Sequence, residues 1–421
     1  MSKTTLIKTL LLAFMALNPV SADSIHSAGI DDSVYQNAIA ASLLQTGNTT
    51  RIQRLIKKAQ AGEDVSLAFL GGSITEGSSA SPQKSNCYVA LFTDWFTTTY
   101  AKDASKVHQV NAGLSGTPSL LGLMRYQCDV LEKAAFPPDL VIVEFAVNDS
   151  NQPDACAQYE SLVRNIFNGE GKPAVLLLFS FTGTGYTTEP QIKKVGEAYA
   201  LPMVSMKTAL KAGAISDADY FNPSDRIHPT NKGHKVIADC LANAFTRIAA
   251  SPSSSGDAAF PKSPVYGNDY EGIIPIDSRT TSTADMTINK GGFSGTDLAV
   301  YTSGYTGKPD LIHNFMHKAN ANNAEALSIS LECKNFVLAY KIEGNWTSTS
   351  KNGLAGKAEV YVDGKLTKTL DSFQNSNGAW QESVPQVIFN KPVSAQHDIQ
   401  IKMAPGDEGK AFTVTIMGYT K

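Results

Sequence analysis

The chain has 421 residues, 42% of them hydrophobic and 18% charged, and a formal net charge of -3 at neutral pH. That length exceeds what one typical core encloses, so two domains are expected, and the composition excludes a disordered chain. The near-neutral balance gives no electrostatic reason to expect nucleic acid as a partner.

Residues 1–22 carry Lys3 and Lys8, then the apolar run from Leu10 to Leu17, then the small residues of Val20-Ser21-Ala22. This order predicts a cleaved export signal, a mature chain beginning near Asp23, and a secreted or periplasmic protein with no membrane attachment after cleavage. The run is too short to span a bilayer. Export permits disulfides, and Cys87, Cys128, Cys156, Cys240 and Cys333 leave room for one bridge among the first four. Cys333 is expected to be a small buried apolar residue.

From Ser33 to Gly62 apolar residues recur at helical steps through Ile39, Leu43, Leu44, Ile52, Leu55 and Ile56. The run from Val65 to Leu70 reads as a buried strand, stopped by Gly71-Gly72, which let the backbone turn and present Ser73 at the strand's C-terminal edge. A helix over about 86–100 leads to a second strand at Val107–Val110, ending in Asn111-Ala112-Gly113. A helix over 119–133 precedes the strongest strand, Asp139 to Ala146, which ends at Val147-Asn148-Asp149. Helices over 154–167, 191–199 and 231–249 then alternate with strands at Ala174–Phe179 and Met203-Val204. Such alternation predicts a parallel sheet covered on both faces, so the residues after each strand share one rim. Asp225-Arg226-Ile227-His228-Pro229 follows the last strand, in a loop placed to fold over that rim.

Residues 251–260, rich in Ser and Pro, read as a linker between a first domain over 23–250 and a second over 261–421. The second shows short alternating segments without helices, at 327–331, 336–342, 358–362, 384–389, 399–403 and 412–417. With the hairpin signal Asp363-Gly364, they predict an antiparallel β sandwich of jelly-roll type.

A serine hydroxyl near neutral pH needs a base to become a nucleophile, usually a histidine oriented by a carboxylate. Asp225 and His228, three residues apart, suit that pair, with His228 Nε2 facing Ser73. The strand ends supply oxyanion donors: the backbone N–H groups of Ser73 and Gly113 and the side-chain amide of Asn148. The plainer alternatives are a helix cap or turn at Asn148-Asp149 and a surface turn at Asp225–His228. His234 reads as part of a solvated helix face, and His108 and Glu144 as paired or rim-facing polar groups.

Gly71-Gly72-Ser73-Ile74-Thr75, Asn111-Ala112-Gly113, Ala146-Val147-Asn148-Asp149 and Asp225-x-x-His228-Pro229 together resemble the four blocks of the SGNH/GDSL hydrolases, over about residues 50–250. The resemblance implies a three-layer α/β/α, flavodoxin-like domain and a serine esterase needing no cofactor or metal. It implies Ser73 as nucleophile, His228 as base, Asp225 as orienting acid, and Gly113 and Asn148 as oxyanion donors. Gly72 departs from the Asp of Gly-Asp-Ser-Leu, and Ala146 from a frequent Gly; Gly-Gly-Ser-Ile-Thr is similar to a branch containing carbohydrate esterases.

Export, a small polar loop at Ser78–Gln83 and an appended sandwich similar to accessory domains of polysaccharide-active enzymes point to removal of O-acetyl groups from a hemicellulose such as xylan or mannan; a monomer is expected. Trp346 and Trp380, in predicted loops, are candidates for stacking on sugar rings, with packing inside the sandwich as the plain alternative. A general lipase or esterase, a glycan-binding protein with a vestigial hydrolase domain, and an acyltransferase are the rival functions.

Overall fold

The computed structural model describes residues 32–321, 323–343, 354–373 and 382–421. The expected export signal, Trp346 and Trp380 lie outside the described residues.

In the first domain, six strands, β1 (Leu43–Gln45), β2 (Val65–Gly71), β3 (Val107–Gly113), β4 (Leu140–Glu144), β5 (Ala174–Phe179) and β6 (Met203–Ser205), lie in the order β1-β6-β5-β4-β2-β3. All neighbours run parallel except β1, which is antiparallel to β6. Every residue of β2, β4 and β5 is buried, as continuous apolar strands require when helices cover both faces. On one face Phe69 meets Ile52, Phe92 and Phe245, from the helices Thr50–Ala61, Tyr88–Tyr100 and Asn231–Ala250. On the other, Leu70, Val143 and Leu177 meet Leu120, Leu162 and Val195, from the helices Ser119–Tyr126, Pro153–Phe167 and Glu189–Ala198.

Two expectations change here. Leu43 and Leu44 belong to β1 and not to a continuous helix, because so short an apolar run has no period of its own and pairing with β6 decides its conformation. The cysteines form no disulfide: all five are free. Cys87 and Cys240 pack on one face of the sheet and Cys156 and Cys128 on the other, so the sheet separates the two sets.

The second domain is an antiparallel β sandwich whose eight-stranded sheet is centred on two long strands, β12 (Leu327–Ile342) and β15 (Glu382–Met403). In chain order its other strands are β7 (Ile274–Ile276), β8 (Met286–Asn289), β11 (Phe315–His317), β13 (Lys357–Val362), β14 (Lys365–Asp371) and β16 (Phe412–Thr420), while β9 (Tyr301–Thr302) and β10 (Pro309–Asp310) form a separate ribbon. Four segments expected to be separate strands are thus the halves of two. β12 pairs with β8 through Ser328–Leu331 and with β16 through Asn335–Tyr340, with register shifts between. Those bulges bend one strand so that its halves serve different neighbours, and locally each half has the length of an ordinary strand.

The segment joining the domains is laid along the first. Arg51 makes a bidentate ion pair with Asp257 at 2.8 Å, and Phe260 stacks on Phe167. Glu160, fully buried, accepts the N–H groups of Val265 (2.8 Å), Tyr266 (2.6 Å) and Gly267 (3.2 Å) and the hydroxyl of Tyr199 (2.8 Å). Val337, Ala339 and Ile416 of the sandwich join the apolar cluster of Leu120 and Leu123. The two domains therefore share a core.

Candidate active site

β2 delivers the chain to a tightly held turn. The Gly71 carbonyl accepts from Arg125 Nη2 (3.0 Å) and from the N–H of Leu114 (3.1 Å), and the Gly72 N–H donates to the Glu144 carbonyl (3.3 Å). A Cβ on Gly71 would lie 2.1 Å from Thr75 Oγ1, so only glycine permits this approach. Ser73 opens the one-turn helix Ser73–Glu76 and is 6% exposed. As the first residue of that turn its N–H has no intrahelical acceptor, and none elsewhere among the described residues.

Asp225 and His228 arrive on a loop that several polar contacts pin to the segment after Ser73. Asn222 Nδ2 donates to Ser79 Oγ (2.7 Å), Asn231 pairs with the backbone of Ser81 through both amide atoms (2.8 Å each), and His234 Nε2 donates to the Ser78 carbonyl (3.1 Å). His234 is fully buried, contrary to the solvated position expected, because the helix Asn231–Ala250 packs beside the helix Tyr88–Tyr100 on the same face of the sheet, where the His234 ring stacks on Tyr88. Its Nδ1 accepts the N–H of Tyr88 (3.3 Å), and burial pushes its pKa down to about 4, which keeps it neutral.

These anchors bring together three side chains separated by up to 155 positions. His228 Nε2 lies 2.8 Å from Ser73 Oγ, and His228 Nδ1 lies 2.8 Å from Asp225 Oδ2. Burial raises the Asp225 pKa, but hydrogen bonds from the His228 ring and from the N–H groups of His228 (3.0 Å) and Ile227 (2.7 Å) outweigh it and hold the carboxyl below its ordinary value. An ionised carboxylate only accepts, so Nδ1 carries the proton and Nε2 offers its lone pair to the Ser73 hydroxyl.

Asn148, which follows β4, packs against Gly72: a Cβ there would lie 2.2 Å from Asn148 Oδ1. The aspartate of Gly-Asp-Ser-Leu is thus absent where this chain places the Asn148 amide. Gly113 differs from expectation. It ends β3 on the same rim, but its N–H donates to Asn111 Oδ1 (2.9 Å), because the Asn side chain folds back two residues. Its missing side chain serves packing, since a Cβ would lie 2.0 Å from the Glu76 nitrogen. Gly116, three residues on, has a left-handed φ of 73° and an N–H with no acceptor among the described residues. The turn signal Ser115-Gly116 marked that position in the sequence.

Residues 69–236 match the family model of the GDSL-like lipases and acylhydrolases. The match lies wholly within the first domain and takes in Ser73, Asn148, Asp225 and His228. A GDSL-like domain of this kind makes the chain a carboxylic ester hydrolase. No curated protein matches it. Among solved structures, a two-domain esterase active on acetylated mannans is similar over 92% of this chain and 99% of its own, at 24% identity and a TM-score of 0.73. The same esterase co-crystallised with mannopentaose gives 24% identity, 92% and 98% coverage and a TM-score of 0.72. An acetylxylan esterase from Geobacillus stearothermophilus matches 47% of this chain and 100% of its own at 21% identity, with a TM-score of 0.34.

Beneath the nucleophile turn, the GDSL-like domain buries two carboxyl groups. Glu144 Oε2 accepts from Thr75 Oγ1 (3.1 Å), and burial, against hydrogen bonding from Ser180 and Thr75, pushes its pKa up to about 7. Asp149 accepts the N–H of Ser119 (2.8 Å), capping the preceding helix, and burial likewise pushes it up to about 7. Unfolded, both titrate near pH 4. Between roughly pH 4 and 7 the unfolded chain releases protons that the folded chain keeps, so these groups make stability fall as pH rises through that window. Glu144→Gln is therefore expected to show a smaller drop in Tm between pH 5 and pH 8 than the wild type. Equal drops would mean that Glu144 titrates normally. His108 pairs with Asp64 Oδ1 (2.7 Å) near the start of β3, at the far end of the sheet from the rim.

Proposed function

We propose that the chain is a secreted, monomeric serine esterase that removes O-acetyl groups from a polysaccharide of the mannan or xylan type. The observation that carries this reading is the continuous hydrogen-bonded path from Asp225 through His228 to Ser73. In this mechanism His228 Nε2 takes the Ser73 proton as Oγ attacks the acetyl carbonyl carbon, and Asp225 stabilises the imidazolium that forms. The negative charge on the carbonyl oxygen is received by the Ser73 N–H, the Asn148 amide and the Gly116 N–H, which takes the part first expected of Gly113. His228 then returns its proton to the departing sugar oxygen, and a second cycle with water releases acetate. No metal or cofactor takes part in these steps.

The acetyl group and the substrate class are supported by likeness in both domains to an esterase active on acetylated mannans. The loop over 78–83, Ser-Ser-Ala-Ser-Pro-Gln, carries no bulky apolar side chain of the kind that would form a lid beside Ser73. Acetate release from acetylated mannan, acetylated xylan and a series of p-nitrophenyl esters, with Ser73→Ala as blank, tests the reading. Release from at least one polymer and a preference for acetyl over longer acyl chains are expected. Preference for octanoyl esters with no acetate from any polymer would instead mark a lipase.

A further inference from the structure

We propose that Glu76 is a positioning residue through which the second domain holds the nucleophile turn and the loop after β3 in place; this rests on the serine-esterase reading above. Glu76 closes the turn that Ser73 opens and is only 4% exposed. A carboxylate so enclosed must find hydrogen-bond donors to replace water. Ser115, beyond β3, gives its N–H (3.0 Å) and its hydroxyl (2.5 Å) to Oε2. The second domain supplies the rest, the Tyr301 hydroxyl to Oε2 (3.3 Å) and the Gly304 N–H to Oε1 (2.6 Å).

The surrounding contacts leave little freedom. Gln83 Nε2 donates to the Glu76 carbonyl (2.8 Å), and a Cβ on Gly304 would meet the Gln83 amide at 2.7 Å and Glu76 Oε1 at 3.2 Å. Gln109 on β3 donates to the hydroxyl of Tyr305 (2.6 Å). The segment Tyr301–Tyr305 is thus seated on the nucleophile turn and on β3, and Glu76 ties it to the loop that follows β3. Among the described residues its carboxylate bonds to these donors alone, so its effect is on where Ser73 and the oxyanion donors stand. A misplacement near 1 Å in such a site costs about 100-fold in rate.

The test uses the full chain, p-nitrophenyl acetate as probe, and kcat, KM and Tm as readouts. Glu76→Gln turns one accepting oxygen into a donor facing an N–H or O–H, and is expected to lower kcat about 10- to 100-fold with KM changed by no more than about three-fold. Gly304→Ala, wholly within the second domain, is expected to lower kcat about three- to ten-fold by pressing on Glu76. The double variant should be no slower than Glu76→Gln alone, since the route it perturbs is already lost. Should Glu76→Gln not fold, Gly304→Ala and Ser115→Ala decide by the same fall in kcat. A lowered Tm with kcat within about two-fold of wild type would make Glu76 a mere fastener between domains and overturn the proposal, as would losses that multiply in the double variant. Ser73→Ala is the control: if it is inactive while the Glu76 series is flat, only this inference fails, and if it retains turnover the esterase reading falls with it.

Discussion

Ser73→Ala is expected to lower kcat on an acetyl ester by about 10^6-fold, the order of loss seen when a serine hydrolase is stripped of its nucleophile or base. His228→Ala should cost nearly as much, and the double variant no more than the worse single one. The reason is geometric. Nε2 at 2.8 Å from Oγ has one task, to take that proton, and neither group acts without the other. Asp225→Asn is expected to be milder, about 10^4-fold, because His228 loses its favoured tautomer while the loop keeps its shape. Tm should move little for Ser73→Ala, whose hydroxyl makes its contact to a loop held by Asn222 and Asn231. Losses that multiply in the double variant would show that the two side chains act in separate steps or separate sites.

Asn148→Ala is expected to lower kcat by about 100- to 1000-fold with little change in KM, the usual cost of one oxyanion donor. Gly72→Ala should reach a comparable loss by another route, because its Cβ would need the space 2.2 Å from Asn148 Oδ1. In the double variant the alanine at 148 leaves room for that Cβ, so the combined loss should not exceed that of Asn148→Ala alone. An unchanged kcat for Asn148→Ala would remove this side chain from the oxyanion site. A large loss for Gly72→Ala alone would then point to the turn itself and not to the amide beside it.

The local devices of the first domain could be read before any coordinates. Gly71-Gly72 announced a sharp turn, continuous apolar runs announced strands buried on both faces, and Asp225 and His228 sat close enough for their own loop to pair them. Other features had no local signature. Leu43 and Leu44 look helical until β6 lies beside them, and the halves of β12 look like two strands until their different partners are known. His234 sits where a helix repeat suggests solvent, yet two neighbouring elements cover it. Gly113 carries the right residue type at the right strand end, but its N–H is taken by Asn111, a contact visible only once the turn is built.

Residue order was enough to establish the alternation of strand and helix, the rim on which Ser73, Asn148 and the Asp225–His228 loop gather, and the change to β structure beyond residue 260. These follow from periodicity and from glycine, both properties of a few consecutive residues. Which N–H groups stay open, how Ser79 and Ser81 tie the histidine loop to the nucleophile turn, and why a buried Glu76 takes donors from another domain depend on pairs of residues up to 228 positions apart. Contacts of that kind come from packing, where the partner of a buried polar group is whichever donor the fold brings within reach, and neighbouring residues in the chain carry no record of it.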